Sequence, residues 1–176
     1  MRSRHIAGLL VAAVALLPLS RLAAQSKPIE LGTDIGMSLD FGGGTLTTVS
    51  IPTSSLRVGF WMNDRVSVEP NLGFTWLHFS GESITTLDAA VALLYHFNTD
   101  PSRARPYVTV FPGLTHLSAG ASSTQFFGGA GLGVLLPLQE RLAARLEGQY
   151  SHTFSSDEVG SGNTVAARIG FSYFSH

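Results

Sequence analysis

The chain has 176 residues, 44% of them hydrophobic and only 13% charged, with 19 Gly, no Cys and a formal net charge of −1. Without cysteine there is neither a disulfide scaffold nor a thiolate metal site, and the near-neutral balance leaves no electrostatic footprint for nucleic acid. The length suits one domain with room for a leader, and the apolar content excludes a disordered chain.

Met1 to Ala24 reads as a secretory signal: Arg2 and Arg4, an apolar run from Ile6 to Leu19, then Leu22-Ala23-Ala24 before Gln25. The run is too short to cross a bilayer, which needs about 20 apolar residues. Residues 1–24 are therefore expected to be removed, leaving residues 25–176 as one domain. The leader takes three basic residues with it, so the remainder carries 8 basic and 12 acidic side chains.

From Ile29 onward the pattern has period two. Ile29, Leu31, Thr33, Ile35, Met37, Leu39 and Phe41 alternate with Glu30, Gly32, Asp34, Gly36, Ser38 and Asp40, which predicts a strand with one apolar and one polar face. Seven further instances follow in chain order. They start with Leu56-Val58-Phe60-Met62, Val66 to Trp76, Leu87 to Phe97 and Val108-Val110-Leu114. Phe126 to Leu136, Leu142 to Tyr150 and Val165 to Tyr173 complete the set. Asn63-Asp64, Asn98 to Arg105 and Gln139-Glu140 are expected to join strands at one end. Longer loops, Gly42 to Ser50, Ser80 to Ser83, Ser118 to Thr124 and Thr153 to Asn163, are expected at the other. Pro70 and Pro112 fall within strands and remove ladder donors, which local bulges would absorb.

A soluble eight-stranded barrel shows the same alternation with its apolar face inward, so charge has to decide the sidedness. Soluble surfaces run about 25–35% charged. Here 20 charges are spread over the 152 residues after the leader, with Lys27 the one lysine. Most strand charges share the polar parity, which is also rich in glycine. That face suits a packed lumen, and the apolar face suits lipid. Aromatic residues of the apolar parity gather at the strand ends: Phe41, Trp76, Phe126 and Tyr150 at one, Phe60, Tyr95, Phe97, Phe171 and Tyr173 at the other. Two aromatic girdles are what the two faces of a bilayer select. The fold expected is all-β, an eight-stranded antiparallel up-and-down transmembrane β-barrel, closed because lipid cannot satisfy an open edge.

Eight strands leave a bore that side chains can fill. Asp34, Arg57, Glu69, Asp88, Arg145, Glu147 and Arg168 are expected to form an interior polar network, since charges held in so small a space must pair. Arg57 is matched with Glu69, and Arg145, Glu147, Arg168 and Asp34 are grouped across the last two strands and the first. Leu94, Phe111, Phe127 and Trp61 point inward and close the bore further.

The closing run Val165 to Phe174 alternates apolar residues toward an aromatic end. It resembles the C-terminal assembly signal of the small outer-membrane β-barrel proteins, the family of the OmpA transmembrane domain and OmpX, and the likeness of pattern covers residues 25–176. The resemblance implies residence in the outer membrane of a Gram-negative bacterium. It also implies contact with outer-membrane lipids and lipopolysaccharide, and help from periplasmic chaperones and the barrel assembly machinery.

One arrangement points to chemistry. His116-Leu117-Ser118 resembles the His-x-Ser of lipid A deacylases, in which Ser118 would attack and His116 would take its proton. No outward acid stands near Ala130 to orient the imidazole, and His78 and His152 occupy comparable rim positions, where polar side chains meet headgroups. The leading reading is a structural or surface-interaction protein of the envelope with a filled interior and no cofactor or metal. A passive small-solute channel is the alternative, followed by a lipid A deacylase-like hydrolase.

Overall fold

The computed structural model describes residues 27–42, 45–79, 82–119, 121–155 and 161–175, so the leader lies outside the described residues. Eight strands follow in chain order: β1 (Ile29–Gly42), β2 (Thr45–Trp61), β3 (Val66–Phe79), β4 (Glu82–His96), β5 (Arg105–Ala119), β6 (Ala121–Gln139), β7 (Leu142–Thr153) and β8 (Gly162–Ser175). Each is antiparallel to its sequence neighbours, and β8 closes on β1 to complete a barrel.

The alternation built into the sequence is realised on every strand. Leu31, Ile35, Leu72, Val110, Ile169 and their parity mates are exposed on the outside, with Leu56 at 66% and Leu132 at 68% exposure. Glu30, Asp34, Arg57, Glu69, Arg145 and Glu147, on the other parity, are buried. A water-soluble protein cannot present so large an apolar wall. The outward aromatics stand near the strand ends: Tyr95, Phe97, Phe171 and Tyr173 at the end carrying the described termini, and Phe126 and Tyr150 toward the opposite one.

Following directly paired residues from Ile29 through Phe60, Val68, Leu93, Val110, Ala130, Tyr150 and Val165 returns to β1 at Leu39, ten residues further along. Such a stagger tilts barrel strands by roughly 35–45°. It also decides which inward side chains meet across the bore.

Two expectations change. The strands run longer than the alternation alone indicated: β1 and β2 are separated only by 43–44 and β5 and β6 only by 120, so most of Gly42 to Ser50 and all described residues of Ser118 to Thr124 are strand. Thr and Ser there satisfy β-propensity as readily as loop chemistry, and pairing to the facing strand settles the matter. The two mid-strand prolines produce no bulge. Each leaves a gap in one ladder with the register unchanged on either side, Pro70 toward β2 and Pro112 toward β4. The bulges lie elsewhere, between Gly36 and Ser38, Asp40 and Phe41, and Pro137 and Gln139.

The connections at the terminal end are held by side chains. Asn63 Oδ1 accepts from the amides of Arg65 (2.8 Å) and Val66 (2.9 Å), the local turn for which Asn is favoured. In the segment after β4, Asp100 Oδ1 accepts from the amide and hydroxyl of Ser102, at 2.9 and 2.6 Å, and Asn98 Nδ2 donates to the Ala104 carbonyl at 3.0 Å.

Candidate functional site

The lumen is where the fold concentrates its chemistry, and glycine is what makes room for it. Gly32 of β1 lies directly opposite Arg57 of β2. A side chain at Gly32 would collide with the guanidinium, which instead lies over the glycine between Glu30 and Asp34, two positions to either side on the same face. Arg57 Nη1 is 2.6 Å from Glu30 Oε1, Nε is 2.8 Å from Asp34 Oδ2, and Nη2 donates to Ser172 Oγ at 2.7 Å. The expected partner, Glu69, is reached only at 3.9 Å.

Glu69 turns instead to Arg145, whose Nη1 lies 2.7 Å from Glu69 Oε2. Arg145 also binds Glu147, with Nε at 3.1 Å and Nη2 closer, and its guanidinium sits 4.8 Å from the centre of the Tyr107 ring. Glu147 receives further hydrogen bonds from the Tyr107 hydroxyl and Gln149 Nε2. Tyr107 fits because Gly133 faces it from β6. Glu69 thus lies between two arginine clusters, and the chain of contacts spans β1, β2, β3, β5, β7 and β8. Buried charges this well supplied with partners are what a low-dielectric interior requires.

The remaining interior charges stand apart. Asp88 accepts from Thr115 Oγ1 at 2.6 Å, and Arg168 forms no ion pair within 4.0 Å among the described residues. The grouping of Arg168 and Asp34 with Arg145 and Glu147 therefore does not form: Arg168 stands directly across from Glu147 on β7 and Gly36 on β1, but Glu147 is held by Arg145 and Asp34 by Arg57. Sequence reasoning left out Glu30, Ser172 and Tyr107. Glu30 was recoverable, as it shares a parity with Asp34 and neighbours Gly32 across from Arg57.

Toward the terminal end the bore is closed by apolar and aromatic groups. Leu94, Leu135, Tyr107 and His96 are fully buried, with Ala92, Phe111 and Ala143 packed beside them. His96 stacks on Trp61 with ring centres 4.4 Å apart, and its Nε2 lies 3.3 Å from Ser67 Oγ. Beneath this layer Arg105 lies over the faces of Trp61 and Phe174, at 4.9 and 5.2 Å.

On the outer wall, His116 and Ser118 are both exposed near the opposite end. His116 Nδ1 is 2.9 Å from Thr124 Oγ1, and the strand neighbours directly across from the pair are Leu87, Thr124, Thr85 and Ser122, none of them an acid. His152, at another rim position, bonds Asn163 at 2.9 Å. The side chains of Trp76 and His78 lie outside those described.

Comparison with known proteins supports the same architecture. Residues 9–173 match the family described as outer membrane protein beta-barrel domain. Among solved structures, Neisserial surface protein A is 12% identical, with 82% of this chain and 96% of that one covered and a TM-score of 0.69. A major outer membrane protein from Thermus thermophilus is 13% identical over 86% and 100% of the two chains, with a TM-score of 0.56. Ail, the attachment invasion locus protein of Yersinia pestis, is 11% identical over 86% and 100%, with a TM-score of 0.52. No curated protein matches the chain by sequence. With a family match across most of its length and a closed eight-stranded barrel clad in apolar side chains, the chain belongs to the outer membrane protein beta-barrel domain family and is a protein of the outer membrane.

Proposed function

We propose that this barrel is a non-conducting structural protein of the envelope, whose outer face works in lipid and whose opposite end is available for surface interactions. The observation that carries this reading is the closure of the bore, by the Arg57–Glu69–Arg145 network and by the fully buried Leu94, Tyr107, Leu135 and His96 packed toward the terminal end. Opening a path for solutes would require breaking ion pairs and exposing apolar packing together. Residues 1–24 act as a signal removed on export in this reading. Periplasmic chaperones and the assembly machinery receive the chain, and lipopolysaccharide and other outer-membrane lipids surround it. The attachment named for the Yersinia relative offers a precedent for surface contact on this fold.

Planar bilayers separate this proposal from a passive channel. Protein refolded in detergent and added to a voltage-clamped bilayer is expected to give no discrete current steps. A reproducible unitary conductance from the same preparation would overturn the non-conducting reading.

A further inference from the structure

At the terminal end the barrel does not finish in a flat plug. A cavity of about 310 Å³ opens there between the Asn63 turn, the segment after β4 and the β6–β7 hairpin. Its volume is at the lower limit for a small-molecule site, about 300 Å³. Trp61, Phe174, Leu135 and Ala143 give it apolar walls, and Arg105 lies at its inner end. It is a blind pocket, because the fully buried layer of Leu94, Tyr107 and His96 lies beyond it.

Arg105 is the unusual member. Of the cations lining the cavity, Lys27 is already ion-paired with Asp64 at the rim. Arg105 has no carboxylate within 4.0 Å and no hydrogen bond from its guanidinium among the described residues, although Glu140 also lines the cavity. The two buried arginines, Arg57 and Arg145, each bind two or more carboxylates, whereas Arg105 is only half-buried. A guanidinium has five N–H donors, and aromatic faces satisfy its charge but not those donors. Trp61 forms part of the same wall, 5% exposed and held between His96 and Arg105, so its indole reports on the floor of the cavity.

We propose that this cavity binds a small organic carboxylate with a flat apolar body, Arg105 holding the carboxylate and the Trp61 and Phe174 rings packing the body. A bidentate carboxylate fits the planar fork of arginine and satisfies donors that the protein leaves open. Phosphate would use the same fork, but the predominantly apolar walls favour an anion that brings its own hydrophobic surface. This assignment is independent of the non-conducting role, because a blind pocket binds without passing solute.

Benzoate is the probe, with benzamide as its neutral counterpart of nearly the same shape. Each is titrated into the full barrel refolded in a nonionic detergent, following the indole N–H resonance of Trp61, identified by elimination in Trp76→Phe. Benzoate is expected to shift that resonance saturably, with affinity about tenfold or more above benzamide, the scale of a charge-assisted hydrogen bond. Arg105→Gln, with its fold checked by gel mobility before and after boiling, is expected to lower benzoate affinity to the benzamide level and leave benzamide unchanged. Equal affinity for the two probes, a linear shift without saturation, or benzoate binding unaffected by Arg105→Gln would overturn the proposal. The wild-type comparison decides even if the variant fails to fold.

Discussion

Arg145 holds two buried carboxylates at once, Glu69 and Glu147, and no other cation lies within 4.0 Å of Glu147 among the described residues. Arg145→Leu therefore leaves uncompensated charge in the bore and is expected to cost about 3–5 kcal/mol, read as a lower urea midpoint for the detergent-refolded barrel. Adding Glu69→Gln to that variant should recover part of the loss, since it removes one of the stranded charges. A loss no larger than that of a surface substitution would show that water or rearrangement satisfies the site. The glycines opposite the large inward side chains make the complementary prediction. Gly133→Val places branched carbon against the Tyr107 ring and is expected to destabilise by about 1–3 kcal/mol, through crowding rather than loss of charge.

Single strands and turns carry their own tests. Leu132 lies within β6 on the outward face, 68% exposed, so Leu132→Arg is expected to cost about 2–4 kcal/mol in a bilayer-reconstituted unfolding assay. A change of a few tenths would contradict the orientation of the whole strand. In the turn between β4 and β5, hydrogen bonds from the Ser102 hydroxyl and amide, with Arg103 nearby, hold the Asp100 carboxyl below the usual aspartate range. A lowered folded-state pKa means the turn is supported above the ordinary aspartate value and loses that support as pH falls through the depressed one. Ser102→Ala should move the Asp100 titration seen by NMR back toward its ordinary position. Asp64 is lowered in the same sense by Lys27, and Lys27→Ala should likewise raise it.

For the molecule as a whole, closure is what makes an apolar exterior tolerable. Every strand has a partner on both sides, and among the described residues the pairing lapses mainly at the rungs that Pro70 and Pro112 leave open and beyond Ser54–Phe74 between β2 and β3. Such a barrel resists detergent. Unboiled samples are expected to migrate faster than boiled ones on a denaturing gel, and the Arg145→Leu barrel should lose the fast band at a lower temperature. Identical migration before and after heating would mean that the refolded sheet is not closed.

The sequence by itself determined the number of strands, their antiparallel sense and which parity meets lipid, because pleat alternation and charge segregation are local properties repeated eight times. It also marked the Asn63 turn and the inward direction of Trp61, Leu94 and Phe111. It did not determine which charges pair. Arg57 takes Glu30 and Asp34 through the local register of β1 on β2, whereas Glu69 meets Arg145 only because closing the sheet brings β3 and β7 together across the bore. The strand ends near 43–44 and 120 were illegible for a similar reason: Ser and Thr serve loop and strand alike until a partner strand is present. The cavity over Arg105 is a further step removed, since β2, β5, β6, β7 and β8 supply its walls only once the barrel has closed.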